Sequence, residues 1–426
     1  MDLPDGPIET PLVERPVAGV IETRAAIGRG DHTAAQALAA CNARIHAANP
    51  SLAAFTVVND AAPAEVDPAL PLAGIAIGVK DLYDTSGMVT TYGSPIYRDH
   101  VPDADAALVM RLKELGGHVA GKTVTTEFAW RQAGPTVNPW NEAHTPGGSS
   151  SGSAAAVAAG LVPLAIGTQT FGSVIRPAAF CGVVGFKPTH GLLPLNGVQP
   201  LSPTLDHAGL FARSLADVAC VFGLLKPGQS NAGTLAKPPR LRFVHGPYWQ
   251  QASATQRAVL ERAAADFSAR GASVEPIELP AAFDEALAIA EVILCHEAAE
   301  IYGPLVQSHP HLLSHHMKEL VARGRALAGG ALGEAMAMRA ELASAFAMEM
   351  EGHDAVLTLP ALGEAPLLGQ GTGNPAPCVL WTLLGAPALA LPRAFGTGNL
   401  PLGLQLVGAV GADHDLLSIA AWCSHA

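Results

Sequence analysis

Three side chains have the type and setting for acyl transfer: Lys80, Ser149 and Ser173. Ser149 and Ser173 each lie in a turn of glycine and hydroxyl residues, GGSSSGS at 147–153 and GTQTFGS at 167–173. Glycine lets backbone N–H groups approach a ligand closely. N–H groups beside a serine supply what acyl transfer needs, a nucleophile and a place for the oxyanion. Lys80 ends the apolar run LAGIAIGVK at 72–80, whose β-branched Ile75, Ile77 and Val79 read as a short buried strand. Two readings of that lysine stand. It is an exposed strand end paired with Asp81 or Asp84, or a buried amine whose pKa desolvation pushes down until it is a neutral base near pH 7.

Gly/Ser turns are often only turns. A phosphate cradle is a rival reading, but the chain has no GxxxxGK[ST] and no lysine at that spacing after either turn.

Three blocks together are more specific. GVKD at 78–81, PGGSSSGSAAAVAAG at 146–160 and GTQTFGSVIRPAAFCGVVGFKPT at 167–189 resemble the amidase signature family of serine amidohydrolases, with Ser149 and Ser173 at the family's spacing. Further similarities run through 49–55, 126–129, 138–141, Asp206-His207 and the C-terminal half, so the resemblance covers nearly the whole chain. It implies an α/β fold in one amidase domain over 1–426, a large mixed, mostly parallel β-sheet flanked by α-helices on both faces. Within it fall a helical N-terminal segment over about 1–60, a signature core over about 71–215 and a variable, substrate-covering helical region over about 280–350.

The resemblance also implies a mechanism. Ser173 matches the nucleophile, Ser149 the bridging serine and Lys80 the base. Neutral Lys80 takes the proton of Ser149, which takes that of Ser173. Backbone N–H groups of Thr170, Phe171, Gly172 and Ser173 hold the oxyanion, and Gly147, Gly148, Phe171 and Arg176 contact the substrate. No cofactor or metal is called for. The partner is a small-molecule amide or carbamate, and a homodimer is the family's common assembly.

Three positions depart from the family's usual pattern: Gln169 stands for Asp, Phe171 for Gly or Ala, and Arg176 lies three residues after the nucleophile instead of two. Arg176 reads as a carboxylate receptor, as in malonamidase-like relatives, or as one half of a buried structural ion pair. We expect a neutral amide or carbamate (urethane) substrate with Arg176 mainly structural. The alternatives are a malonamate-type hydrolase using Arg176 and the glutaminase subunit of a tRNA-dependent amidotransferase. Intact Lys80, Ser149 and Ser173 disfavour an inactive scaffold.

The surrounding elements must position these groups. Helices are expected over about 153–160, 104–115 and 255–270, strands over 55–58, 119–123, 164–166 and 241–244, and long helices over 284–302 and 319–350. Residues 17–48 read as helical, with Asp31 or Thr33 as cap and Asn49-Pro50 as the end. Residues 354–366 and 378–408 read as buried strands, and 229–239 as a linker. Glu127 is expected to tie backbone amides near the site. A Ser173–His207–Asp206 triad is disfavoured, since Lys80 and Ser149 already fill the base and relay roles.

The histidines at 309, 311, 315 and 316 could hold a metal through the 311/315 pair, but no third ligand at matching spacing appears; an exposed helix entry near the substrate is the expectation. With 426 residues, 49% hydrophobic and 15% charged, the chain can bury a large core. A net charge of −12 argues against nucleic acid and anionic membranes. Six scattered cysteines without C-x-x-C read as reduced thiols in the cytoplasm, and the acidic N-terminus shows no leader.

Overall fold

The computed structural model describes residues 17–61, 66–226 and 235–424. The acidic N-terminus and most of the expected linker at 229–239 lie outside them. The strands are β1 (Phe55–Val58), β2 (Ala76–Lys80), β3 (His118–Thr123), β4 (Leu164–Gln169), β5 (Val184–Lys187), β6 (His207–Ala212), β7 (Arg240–Val244), β8 (Ser273–Ile277), β9 (Ala355–Thr358), β10 (Ala388–Phe395) and β11 (Pro401–Val407). The helices are α1 (Val20–Arg29), α2 (Ala34–Leu52), α3 (Ala107–Glu114), α4 (Ser151–Ala158), α5 (Ile175–Cys181), α6 (Leu215–Leu225), α7 (Ala254–Ala269), α8 (Ala286–Ser308), α9 (His315–Arg325), α10 (Ala331–Glu349), α11 (Ala376–Leu383) and α12 (Asp413–Ser424).

All eleven strands form one mixed sheet, in the order β1-β3-β2-β4-β6-β5-β10-β11-β9-β7-β8. Parallel pairing occurs in two blocks, β3-β2-β4 and β9-β7-β8. Antiparallel strands join the blocks, and antiparallel β1 closes one edge. Side chains alternate between the two faces of the sheet. Ala76 and Ala165 join one core with α2, α4, α8, α9, α10 and α11, whereas Ile77, Leu164 and Ile166 join the other with α3, α6, α7 and α12. Helices therefore cover both faces, as the resemblance implies. No helix among the described residues is long and apolar enough to cross a membrane.

Several elements differ from expectation. Thr33 caps α2, with Gln36 completing a capping box. Asn49-Pro50 does not end that helix, which continues to Leu52; Asn49 instead accepts from Phe55 N and donates to Phe55 O, fixing the entry to β1. The expected helix over 319–350 is two helices, because Gly330 turns the chain with φ 93° between α9 and α10. The strand expected from residue 378 is helix up to residue 383, where α11 ends. Its apolar pattern reflects burial on nearly every side, which periodicity alone cannot separate from a buried strand.

Candidate active site

Parallel β2 and β4 lie side by side, so the residues at their carboxyl ends meet, the usual location of a site in an α/β sheet. β2 ends in Lys80, and β4 runs into the loop that carries Ser173. Ser149 enters from the turn before α4, on a cis Gly148–Ser149 peptide.

The serine-rich turn is held by its own hydroxyls. Ser150 Oγ donates to Thr168 O, Ser151 Oγ to Gly147 O and Ser153 Oγ to Ile166 O. None caps α4; the Ser150 and Ser153 bonds instead staple the helix start to β4. Two glycines here are required. Gly147 has φ 83°, and a Cβ on Gly152 would sit 2.1 Å from Ala54 O.

Lys80 is fully buried. Its Nζ lies 2.7 Å from Ser149 Oγ and 2.8 Å from Thr168 Oγ1. It pairs with neither Asp81 nor Asp84: Asp81 accepts from Thr91 and faces Lys122, and Asp84 accepts from Tyr92. Burial pushes the Lys80 ammonium well below the ordinary lysine pKa; nearby Asp206 opposes the shift and Arg176 adds to it. Such an amine can accept a proton from Ser149.

Ser149, Thr170, Phe171, Ser173 and Arg176 line one cavity of about 710 Å³, together with Trp130, Arg131, His316 and the loop at 369–375. Among the described residues, no backbone N–H of residues 170–173 has a hydrogen-bond acceptor. Buried N–H groups are nearly always paired, so four consecutive free ones beside a serine form a ready anion receptor. The next two are used: Val174 N and Ile175 N donate to Gln169 Oε1. Gln169 Nε2 donates to Thr382 Oγ1, which donates to Phe171 O. The glutamine thus ties the loop, α5 and α11 together through a donor that aspartate lacks. Phe171 stays out of the left-handed region, and its ring meets Trp130 edge-on at 6.1 Å.

Arg176 is also buried. Its Nε donates to Thr372 O at 2.8 Å and its Nη2 to Gly148 O at 2.6 Å, while Nη1 has no partner. No carboxylate among the described residues pairs with it, which corrects the reading of a structural ion pair. Burial lowers its pKa to about 10, so it remains a cation at neutral pH.

His207 is not part of this cavity. Its Nδ1 lies 2.7 Å from Leu205 O and its ring packs on His190. Asp206 has a different task, accepting from Thr170 Oγ1, Leu201 N and Ser202 N, with its pKa raised by burial to about 6. Glu127 accepts from Ser314 N, the cap of α9, and so ties a backbone amide near the cavity as expected. This places His316 in the cavity wall, while His315 is exposed beside Glu319. Among the described residues no three His, Cys, Asp or Glu side chains could hold a metal. All six thiols are free.

Thr168, Trp130, Arg131, Thr372 and Thr382 were not anticipated. The one signal for the Thr372 loop is its sequence, GQGTG at 369–373. Trp130 and Arg131 project from a turn in which Phe128, Ala129 and Arg131 all take φ of 41–63°, strain of the kind found around functional sites.

Known proteins resemble this chain over nearly its whole length. The chain is 34% identical to a glutamyl-tRNA(Gln) amidotransferase subunit of Thermus thermophilus, with 94% of this chain and 95% of that protein covered. A crystal structure of an amidase superposes with a TM-score of 0.85 at 30% identity, covering 95% of this chain and 99% of that one. The structure of 6-aminohexanoate cyclic dimer hydrolase superposes with a TM-score of 0.84 at 26% identity, covering 95% and 96%. The amidase family model matches residues 36–417, which include both serine turns, Lys80 and the loop that holds Arg176, and the chain belongs to the amidase signature family as a hydrolase of carbon–nitrogen bonds.

Proposed function

We propose that this protein hydrolyses a small amide that carries a carboxylate, through an acyl-enzyme on Ser173. Neutral Lys80 accepts the proton of Ser149 as Ser149 takes that of Ser173. Ser173 attacks the amide carbon, and the free N–H groups of 170–173 receive the oxyanion. Ser149 returns a proton to the leaving nitrogen, and water then releases the acid by the same relay.

The observation that carries the substrate reading is Arg176: a buried cation with no acidic partner and one free Nη1, in the wall of the cavity that holds Ser173. A buried charge is costly without a partner. A substrate carboxylate would complete it. This reading displaces our expectation of a neutral amide or carbamate.

The Thermus relative's name favours a second reading, a glutaminase subunit working in a complex. Against it, no Asp or Glu among the described residues lines the cavity to receive the α-ammonium of glutamine, whereas Arg131, Arg176 and His316 all do line it. A half-amide of a dicarboxylic acid suits these walls better than a zwitterion.

The test is kcat/KM for malonamate, glutamine and a neutral anilide, in wild type and Arg176→Ala. Losing a charge-assisted hydrogen bond of about 1.5–3 kcal/mol should cost malonamate roughly ten- to hundredfold and spare the anilide. Wild-type preference for the anilide, or an equal loss on all substrates in folded Arg176→Ala, would refute the proposal. Preference for glutamine would establish the second reading.

A further inference from the structure

The second parallel block has a crevice of its own. Chain order runs β7, β8, β9, but the sheet order is β9-β7-β8. From β7 the chain crosses to β8 on one side by way of α7, which packs in one core. It returns to β9 on the other side by way of α8, α9 and α10, which pack in the opposite core. Successive connections leave on opposite faces, so a gap opens beyond the carboxyl ends of β7 and β9. Such a switch point is where open α/β sheets bind ligands. A cavity of about 320 Å³ lies there, reached by residues that end or follow all three strands: Val244, Leu279 and Thr358.

The walls mix apolar and polar groups: Tyr248, Leu287 and Leu380 stand beside His245, Gln250 and Thr358, Phe283 and Trp381 lie nearly fully buried behind them, and the rim holds Asp284 and Glu278. Both carboxylates are exposed, and neither has a hydrogen-bond or ion-pair partner among the described residues. Among the described residues no lysine or arginine lines the cavity. An accessible tyrosine ring beside unpaired carboxylates suits an organic cation. The catalytic cavity has the opposite character, two arginines and, among the described residues, no acid. Helix α11 divides the two: Val379, Leu380 and Trp381 face the second cavity, while Thr382 holds Phe171 O beside Ser173.

We infer that this crevice is a second small-molecule site, separate from the catalytic one, which takes an apolar ligand bearing an ammonium group. Its apolar body lies against Tyr248, Leu287 and Leu380, and its charge faces Asp284 and Glu278.

The experiment is calorimetric titration of the full chain with 2-phenylethylamine as its ammonium ion, with 2-phenylethanol as neutral isostere and phenylacetate as anion. The ammonium should bind with a Kd on the order of 1 mM or tighter, the alcohol at least about tenfold more weakly, and phenylacetate not at this crevice. The double variant Asp284→Asn/Glu278→Gln alters only exposed groups, and it should bring the ammonium down to the affinity of the alcohol. Leu287→Trp, checked for folding by circular dichroism, should fill the cavity and abolish binding. Protein labelled on Ser173 with a fluorophosphonate should bind the ammonium as well as unlabelled protein. The inference is overturned if no ammonium binding is seen, if the alcohol binds equally, if the double variant binds unchanged, if folded Leu287→Trp binds unchanged, or if Ser173 labelling blocks binding.

Discussion

Gln169 holds the loop at 170–173 in shape, so replacing it should damage fold and activity together. Gln169→Leu keeps the side chain's approximate volume but removes its acceptor and its donor. Val174 N and Ile175 N, at 2.8 and 3.0 Å from Gln169 Oε1, then lose their only acceptor. Both residues are fully buried, so water cannot replace it. An unsatisfied buried donor costs about 1–3 kcal/mol, giving about 2–6 kcal/mol for the pair. Thr382 also loses the hydrogen bond from Nε2 that orients its hydroxyl toward Phe171 O. The N–H groups at 170–173 are then free to drift, and misplacement by about 1 Å can cost on the order of a hundredfold in rate. Urea unfolding should show the lost stability, and steady-state kinetics should show the loss in kcat with little change in KM. Gln169→Glu offers a control: its carboxylate can accept both N–H groups but cannot donate to Thr382, so it should recover more stability than activity. A Gln169→Leu variant within about 0.5 kcal/mol of wild type and with unchanged kcat would refute the strut.

A fluorophosphonate should add once, on Ser173, and an adduct mapped to Ser149 would reverse the two serine roles. Because burial lowers the Lys80 pKa, its amine is uncharged above that lowered value and protonated below it, so kcat/KM should fall as pH drops through a limb far below the ordinary lysine range. Lys80→Arg should be inactive at every pH, since guanidinium does not deprotonate; an active variant would remove lysine from the relay. Asp206 is raised from 3.8 to about 6, so the folded state holds an extra proton between those values and its burial penalty grows as pH rises through them, by up to about 3 kcal/mol. The stability of Asp206→Asn relative to wild type should therefore shift in the variant's favour from pH 4 to 6, and a pH-independent difference would contradict that assignment.

Lys80 at the end of a β-branched run, two Gly/Ser turns and the blocks joining them depend on local spacing, and the sequence alone was enough to assign the catalytic triad's candidates and the sheet-and-helix class. Thr33 and the helix it caps were likewise legible, because capping is local chemistry. The fate of 376–383 was not, since a segment buried on all sides carries no periodicity; only packing between two cavities makes it α11. The single helix read over 319–350 failed because its apolar pattern runs on across the Gly330 turn. The role of Arg176 depended on what lies around it in space. Its contacts are Gly148 and Thr372, 28 and 196 residues away, and no local pattern announces that a carboxylate is missing. Lys80 posed the same question in its simplest form. Its sequence allowed an ion pair with Asp81 or Asp84, and the sheet register decided otherwise, setting it beside Thr168 and Ser149, where no carboxylate among the described residues pairs with it and burial lowers its pKa.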